Sequence, residues 1–114
     1  MKLIKMGVAV LNQTPLDWGH NQKNIVDAID RARAEAVTIL CLPEMCITGY
    51  GCEDQFHSVG VQQRALDALF ELAPHTRGMI VSVGLPLYHR KALYNAACLL
   101  VDGAVVGFVA KKFL

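Results

Sequence analysis

The chain has 114 residues, of which 54% are hydrophobic and 18% are charged, and its formal net charge is +1. The length suits one small domain, and the balanced charge excludes the basic surface expected of a protein that binds nucleic acid or an anionic membrane. A small domain should have a polar surface, so the apolar excess predicts either an oligomer or a piece of a larger fold.

The first half of the sequence predicts strands that alternate with helices. A strand is expected over Lys2 to Leu11, and its content of Leu, Ile and Val suits burial on both faces. An amphipathic helix follows from about residue 21, with Asn21 as its N-cap. A short apolar run from Val37 to Leu42 predicts an inner strand that ends at Pro43.

The second half predicts one more helix and three strands joined by tight turns. Asp102 and Gly103 supply the positive φ angles that a two-residue hairpin needs. Crossovers in the first half and hairpins in the second together predict an α/β fold with a mixed sheet. The remaining elements are a loop over 44–58, a helix over 61–73 and strands over 79–87, 92–101 and 104–110.

Neither a membrane segment nor a leader is predicted. The longest apolar run, from 92 to 109, is interrupted by Asn95, Asp102 and two glycines, so it does not suit a bilayer span. The first eleven residues are too mixed for a signal peptide, and a cytoplasmic protein is expected. With no C-x-x-C pair and no zinc-site spacing, the cysteines are expected to be free buried thiols: Cys41, Cys46, Cys52 and Cys98.

Glu44 and a lysine pair are the residues best placed for chemistry. Glu44 follows Pro43 at a strand end, where catalytic groups of α/β proteins collect, and apolar neighbours are expected to raise its pKa toward neutrality. Lys111 and Lys112 end an apolar strand, and strict alternation puts Lys111 on the face of Val105 and Lys112 on the other. One of these lysines could stabilise a developing oxyanion. The alternative is that Glu44 and both lysines are simply solvated.

Residues 42–56, Leu-Pro-Glu-Met-Cys-Ile-Thr-Gly-Tyr-Gly-Cys-Glu-Asp-Gln-Phe, resemble the signature loop of the glutaminase domain of glutamine-dependent NAD synthetases, in the nitrilase (carbon-nitrogen hydrolase) superfamily. Gly84-Leu85-Pro86, Tyr94-Asn95 and the Lys-Lys-Phe-Leu at 111–114 extend the similarity over essentially the whole chain. The resemblance implies a nitrilase-like αββα sandwich with a mixed sheet. Residues 1–114 would be an incomplete amino-terminal portion of one glutamine amidohydrolase domain.

The resemblance also implies a catalytic triad of Glu, Lys and Cys. Glu44 matches the general base, and Lys111 matches the catalytic lysine because the Lys-x-x-Leu frame ends at position 114. Tyr50 matches a tyrosine that lines the glutamine pocket. The nucleophilic cysteine of the family lies further downstream, and neither Cys46 nor Cys52 is expected to replace it, since a neighbouring carboxylate raises the pKa of a thiol. The chain alone is therefore predicted to be inactive.

The implied reaction is hydrolysis of the glutamine side-chain amide, which supplies ammonia for the ATP-dependent synthesis of NAD from deamido-NAD. ATP and Mg²⁺ are expected for a synthetase domain outside these residues, and no cofactor or metal is expected within them. The expected partners are glutamine, the remaining part of the same enzyme and further copies in a homo-oligomer. Two other interpretations stay open: a stand-alone amidase of the same superfamily that acts on another small amide, and a non-catalytic α/β assembly module.

Overall fold

The computed structural model of the chain describes residues 3–114, and Lys2, the first residue of the predicted first strand, lies outside them. Within that range the strands are β1 (Met6–Val8), β2 (Ile39–Cys41), β3 (Ile80–His89), β4 (Ala92–Val101) and β5 (Ala104–Phe113), and the α-helices are α1 (Trp18–Ala34) and α2 (Val59–Leu72). Two short 3-10 helices lie at Glu53–His57 and Ala73–Thr76.

The five strands form one mixed sheet in the order β1-β2-β3-β4-β5. β1, β2 and β3 run parallel to one another, whereas β3, β4 and β5 pair antiparallel. Parallel neighbours need long crossovers, and α1 and α2 supply them; antiparallel neighbours need only tight turns. The predicted mixed α/β architecture is confirmed.

Both helices pack against one face of the sheet. Apolar side chains from α1, α2, β3 and β4 share a single buried cluster that includes Ile25, Leu69, Val83 and Leu100. The opposite face carries the residues that alternate with these, among them Ser82, Gly84, Ala97 and Leu99. Leu99 on that face remains 37% exposed. The sheet thus has one covered face and one accessible face within the described chain.

The start of α1 differs from its prediction. The helix begins at Trp18, and the Asp17 side chain caps it by accepting a hydrogen bond from the His20 backbone N–H at 3.2 Å. Asn21 lies inside the first turns, fully buried, and its amide bonds to the backbone N–H and C=O of Thr14 at 2.8 Å each. Asn21 is therefore a loop anchor and not the N-cap, a distinction that residue type alone does not make.

The burial predicted for the first strand is wrong. β1 is short and lies at the edge of the sheet, where Met6 and Val8 are 65% and 83% exposed. An edge strand pairs on one side only, and residues 3–114 place nothing over these side chains. The apolar composition predicted a buried strand, but composition alone does not show whether the element that covers the strand lies within the same stretch of chain.

Two hairpins connect β3, β4 and β5. The Asp102-Gly103 turn has φ angles of 47° and 85°, as a type I′ turn requires, so the predicted tight turn is confirmed. Arg90 and Lys91 form the other turn with φ angles of 49° and 64°, although their residue types do not favour that conformation. The Asp102 carboxylate also accepts a hydrogen bond from the Gly78 N–H at 2.9 Å, which ties the turn to the segment before β3.

β5 contains two irregularities that change the predicted alternation. Leu100 pairs with Val105 and Leu99 with Gly107, so position 106 is an extra residue; Ala96 pairs with Ala110 and Asn95 with Lys112, so position 111 is another. Each is a β-bulge, which interrupts the ladder and re-aims side chains. Directly opposed residues share a face. Val105 therefore lies on the helix-covered face, whereas Gly107 and Val109, which alternation puts on the same face as Val105, lie on the accessible face, contrary to the prediction. Lys112 lies on the accessible face as well.

No helix within residues 3–114 is both long and apolar enough to cross a bilayer.

Candidate active site

The loop that follows β2 crosses the accessible face of the sheet directly over β3. Pro43 ends the strand, and the Ile47 N–H then donates to the Gly84 carbonyl at 3.2 Å. A Cβ atom on Gly84 would lie 2.4 Å from the backbone nitrogen of Met45 and 2.7 Å from the carbonyl oxygen of Pro43. Only glycine lets the two backbones approach this closely, and this approach places Glu44 over the sheet.

Replacing Gly84 by alanine is expected to destabilise the protein by about 1–3 kcal/mol or more, because two backbone segments must separate to admit one methyl group. The change should lower the denaturant midpoint of unfolding. Gly107→Ala is the matched control, since a Cβ atom there meets no atom within 4 Å. Equal midpoints for the two variants would contradict the close approach seen at Gly84.

The loop after β1 fixes the shape of the loop after β2. Gln13 donates through Nε2 to the Cys46 carbonyl at 2.7 Å, and Asn21 donates to the Ile47 carbonyl at 3.3 Å. The Leu16 N–H donates to the Thr48 carbonyl at 2.8 Å. Polar groups of this loop and of the first turn of α1 thus satisfy the backbone of the other loop, as buried carbonyls require. Residues 13–21 carry no candidate catalytic group, yet they hold the loop that does.

The three residues singled out from the sequence lie together. The Lys111 ammonium donates to Oε1 of Glu44, and the Tyr50 hydroxyl donates to Oε2 of the same carboxylate. Glu44 and Lys111 are 67 positions apart in the chain, and their side chains are 36% and 40% exposed. The structure thus brings together a carboxylate, an ammonium group and a phenol at the carboxyl end of β2.

The pKa of Glu44 moves in the direction opposite to the prediction. The charge-assisted hydrogen bond from Lys111, followed by the bond from Tyr50 and the nearby amide of Asn95, lowers the pKa of Glu44 from 4.5 to about 2. Desolvation by the apolar neighbours acts to raise this pKa, but it is outweighed because the carboxylate is partly open to solvent. Glu44 is therefore ionised at neutral pH.

Asn95 is a member of this site that the sequence did not single out for a role. Its side chain is fully buried, and neither Nδ2 nor Oδ1 completes a hydrogen bond with any residue in the described part of the chain. Leaving such a group unpaired typically costs about 1–3 kcal/mol. The sequence feature that could have identified Asn95 is its place as a polar residue in an otherwise apolar strand, because a polar side chain there adds nothing to the packing of the sheet.

A small cavity of about 70 Å³ adjoins the carboxylate–ammonium pair. Small side chains on β3 and β4 leave this space. A larger groove of about 580 Å³ runs between β1 and α1, and it contains none of the three candidate residues. The small cavity is lined by Leu42, Pro43, Glu44, Ser82, Gly84, Ala96, Ala97 and Lys111.

The four cysteines are free thiols, as predicted, and Cys41 is only half-buried. Burial raises the pKa of Cys46 to about 12 and that of Cys98 to about 11, and it also raises the pKa of Cys52. A thiol with such a pKa is protonated at neutral pH and is a poor nucleophile. Desolvation, and not the neighbouring carboxylate invoked from the sequence, is the main cause. Within residues 3–114 no cluster of three or more His, Cys, Asp or Glu side chains could hold a metal ion.

Comparisons with known proteins point to one group. The carbon-nitrogen hydrolase profile matches residues 5–112. The glutamine-dependent NAD(+) synthetase of Arabidopsis thaliana is 33% identical over 100% of this chain, and the Saccharomyces cerevisiae protein of the same name is 31% identical over 96% of it. In each case the chain spans 16% of the relative's length.

Solved structures agree with the fold. The crystal structure of a glutamine-dependent NAD(+) synthetase from Cytophaga hutchinsonii matches 97% of this chain and 19% of its own, with a TM-score of 0.93 and 50% identity. A cysteine-to-alanine mutant of a nitrilase-superfamily amidase from Nesterenkonia matches 95% of this chain and 42% of its own, with a TM-score of 0.79 and 25% identity. These matches confirm the predicted nitrilase-like α/β architecture, of which residues 3–114 supply one sheet and one layer of helices.

Proposed function

This chain belongs to the carbon-nitrogen hydrolase family, and on that premise we propose that residues 1–114 are the amino-terminal part of a glutamine amidohydrolase domain. The domain would release ammonia from the glutamine side chain for the ATP-dependent synthesis of NAD from deamido-NAD. The relatives that support this substrate are glutamine-dependent NAD synthetases, matched over nearly the whole of this chain.

The observation that carries the proposal is the direct contact between Glu44 and Lys111. A loop after one strand and a bulge in another bring these two groups together across the accessible face of the sheet. An ordinary ion pair on the surface would not require the loop backbone to approach β3 as closely as it does at Gly84. A carboxylate and an ammonium group that converge beside a small cavity suit hydrolysis of an amide, since one can transfer protons and the other can bind an oxyanion.

The proposed chemistry requires a cysteine thiol from outside these residues. Glu44 takes the thiol proton, and the thiolate attacks the amide carbon of glutamine. The proton then passes to the departing ammonia, and Glu44 activates the water that hydrolyses the thioester. Lys111 binds the oxyanion, and as it turns from Glu44 toward that oxygen, the carboxylate loses the contact that most lowers its pKa. Glu44 would thus become a stronger base when it must accept a proton.

Tyr50 is proposed to line the glutamine pocket. Tyr50 is 53% exposed, and its hydroxyl donates to Oε2 of Glu44, which lines the small cavity. This bond leaves Lys111 on the other carboxylate oxygen, so the two donors do not compete for one atom. The phenol would then fix the orientation of the carboxylate and present an apolar ring to the methylene groups of the substrate.

ATP and Mg²⁺ are proposed for a synthetase domain outside residues 1–114, and none of the steps above uses them. We also propose that the 114-residue chain by itself does not hydrolyse glutamine, because the nucleophilic cysteine lies outside these residues and Cys46, Cys52 and Cys98 are buried and protonated. Ammonia release by the chain above that of a Glu44→Ala variant would contradict this point.

A comparison of nitrogen donors in the complete protein tests the function. The proposal expects NAD to form from deamido-NAD and ATP with either glutamine or ammonia as the nitrogen source. A stand-alone amidase would instead release ammonia from a small amide without any need for deamido-NAD. A non-catalytic module would do neither, and either of these results would reject the proposal.

A further inference from the structure

The amide of Asn95 has no structural use among the described residues. Asn95 lies in β4 between Pro86 on β3 and Lys112 on β5, and its side chain is fully buried. Neither polar atom of the amide completes a hydrogen bond within residues 3–114. A buried amide without partners is costly, so a polar ligand or a moving polar group is needed to explain it.

The position of Asn95 directs its amide toward the carboxylate. Strand alternation puts Asn95 on the accessible face with Ala97, and the bulge at Lys111 lies beside it on β5. Lys111, which bonds to Glu44, lies next to the partner of Asn95 on β5, so the unpaired amide shares a face of the sheet with that carboxylate. The amide of Asn95 also lowers the pKa values of both Glu44 and Tyr50, as a nearby N–H donor does.

We propose that Asn95 is a positioning residue for Glu44: its Nδ2 group donates to the carboxylate and keeps it in place when Lys111 turns toward the substrate oxygen. The inference rests on the proposed function, since it assigns Asn95 a place in that site. Asn95 itself touches no reacting atom in this scheme and acts through Glu44.

A neutral amide suits this task better than a second cation. The groups that face Glu44 are Lys111 from β5, Tyr50 from the loop and Asn95 from β4, and Lys112 lies on the same face by register. A further ammonium group on the carboxylate would hold its pKa low and weaken it as a base. An amide orients the carboxylate and leaves most of its basicity.

Two substitutions at Asn95 in the complete protein test the inference. Asn95→Leu keeps the size of the side chain and removes the donor; Asn95→Ala removes the donor without risk of overpacking. The pKa of Glu44 is measured by NMR with carbon-13 in the glutamate carboxyl groups, and Glu44→Gln identifies the signal. The pH profile of kcat/KM for glutamine hydrolysis is the second readout. Cys98→Ala, on the helix-covered face of the same strand, is the control.

Both variants should raise the pKa of Glu44 and shift the acid limb of kcat/KM to higher pH. We expect kcat/KM to fall about 10- to 100-fold, the factor for one hydrogen bond to a charged group, mostly through kcat. Cys98→Ala should lower the melting temperature and leave the titration unchanged. If Asn95→Leu does not fold, Asn95→Ala decides alone. An unchanged Glu44 titration overturns the inference, whereas full glutamine hydrolysis by Glu44→Gln rejects the proposed function and leaves the titration result on Asn95 standing.

Discussion

Glutamine-dependent activity of the complete protein is expected to fall by about 10²–10⁴-fold when Glu44 is replaced by glutamine, while ammonia-dependent activity is retained. Glutamine has the shape of glutamate and can still bond to Tyr50 and Lys111, so the loop should keep its conformation. The amide cannot accept the thiol proton, however, and that loss accounts for the size of the effect. The measurement is NAD formation with glutamine and with ammonia as alternative nitrogen sources.

Asp67→Asn is the matched control for this experiment. Asp67 is an exposed carboxylate on α2 that accepts a hydrogen bond from Gln63 at 3.1 Å, so the same chemical change occurs away from the site. Both activities should survive in this variant. If Glu44→Gln used glutamine as well as the unaltered protein does, Glu44 would have no part in the mechanism. If it lost both activities together, the damage would be to the fold or to assembly.

Lys111→Met is expected to lower glutamine-dependent kcat by about 10²–10³-fold, the usual effect of removing one donor to an oxyanion. Methionine keeps nearly the length of the lysine side chain, so it should still occupy the space of the Lys111 side chain at the bulge. The same change removes the strongest contact that holds the pKa of Glu44 near 2, so that pKa should rise toward its ordinary value of 4.5. The variant should therefore lose activity at a higher pH on acidification than the unaltered protein does.

Lys23→Met controls for loss of one positive charge, because Lys23 makes an exposed ion pair with Asp27 on α1 at 2.8 Å. Lys112→Met tests the choice between the two neighbouring lysines. Register places Lys112 on the accessible face as well, so the structure does not exclude it by orientation alone. Loss of activity in Lys112→Met with retention in Lys111→Met would show that the Lys-x-x-Leu frame assigns the wrong residue.

Much of the fold follows from local patterns in the sequence. The order of strands and helices, the strand end at Pro43 and the Asp102-Gly103 hairpin all depend on neighbours close in the chain. The exposure of β1 does not, because it depends on which elements lie beside the edge of the sheet. The burial of Asn21 is also non-local, because its amide bonds to the Ile47 carbonyl of the loop after β2, and the cap of α1 falls to Asp17 instead.

The candidate site was only partly predictable. Spacing alone placed Glu44 and Lys111 at strand ends, and only the family resemblance put them in one site. β2 and β5 are separated by two strands, so the contact depends on a loop that crosses the sheet at Gly84. The pKa of Glu44 was misjudged because its apolar sequence neighbours were visible, whereas its strongest polar partner, Lys111, lies 67 positions further along the chain.

The paired bulges of β5 make this strand sensitive to changes in its length. The seven residues from Asn95 to Val101 lie opposite nine from Ala104 to Lys112, so the extra pair is absorbed within the strand itself. Deletion of a regularly paired residue there, with both bulges kept, would exchange inward for outward at every later position. Any transfer of Lys111 and its surroundings to another protein scaffold must therefore copy the irregular backbone together with the side chains.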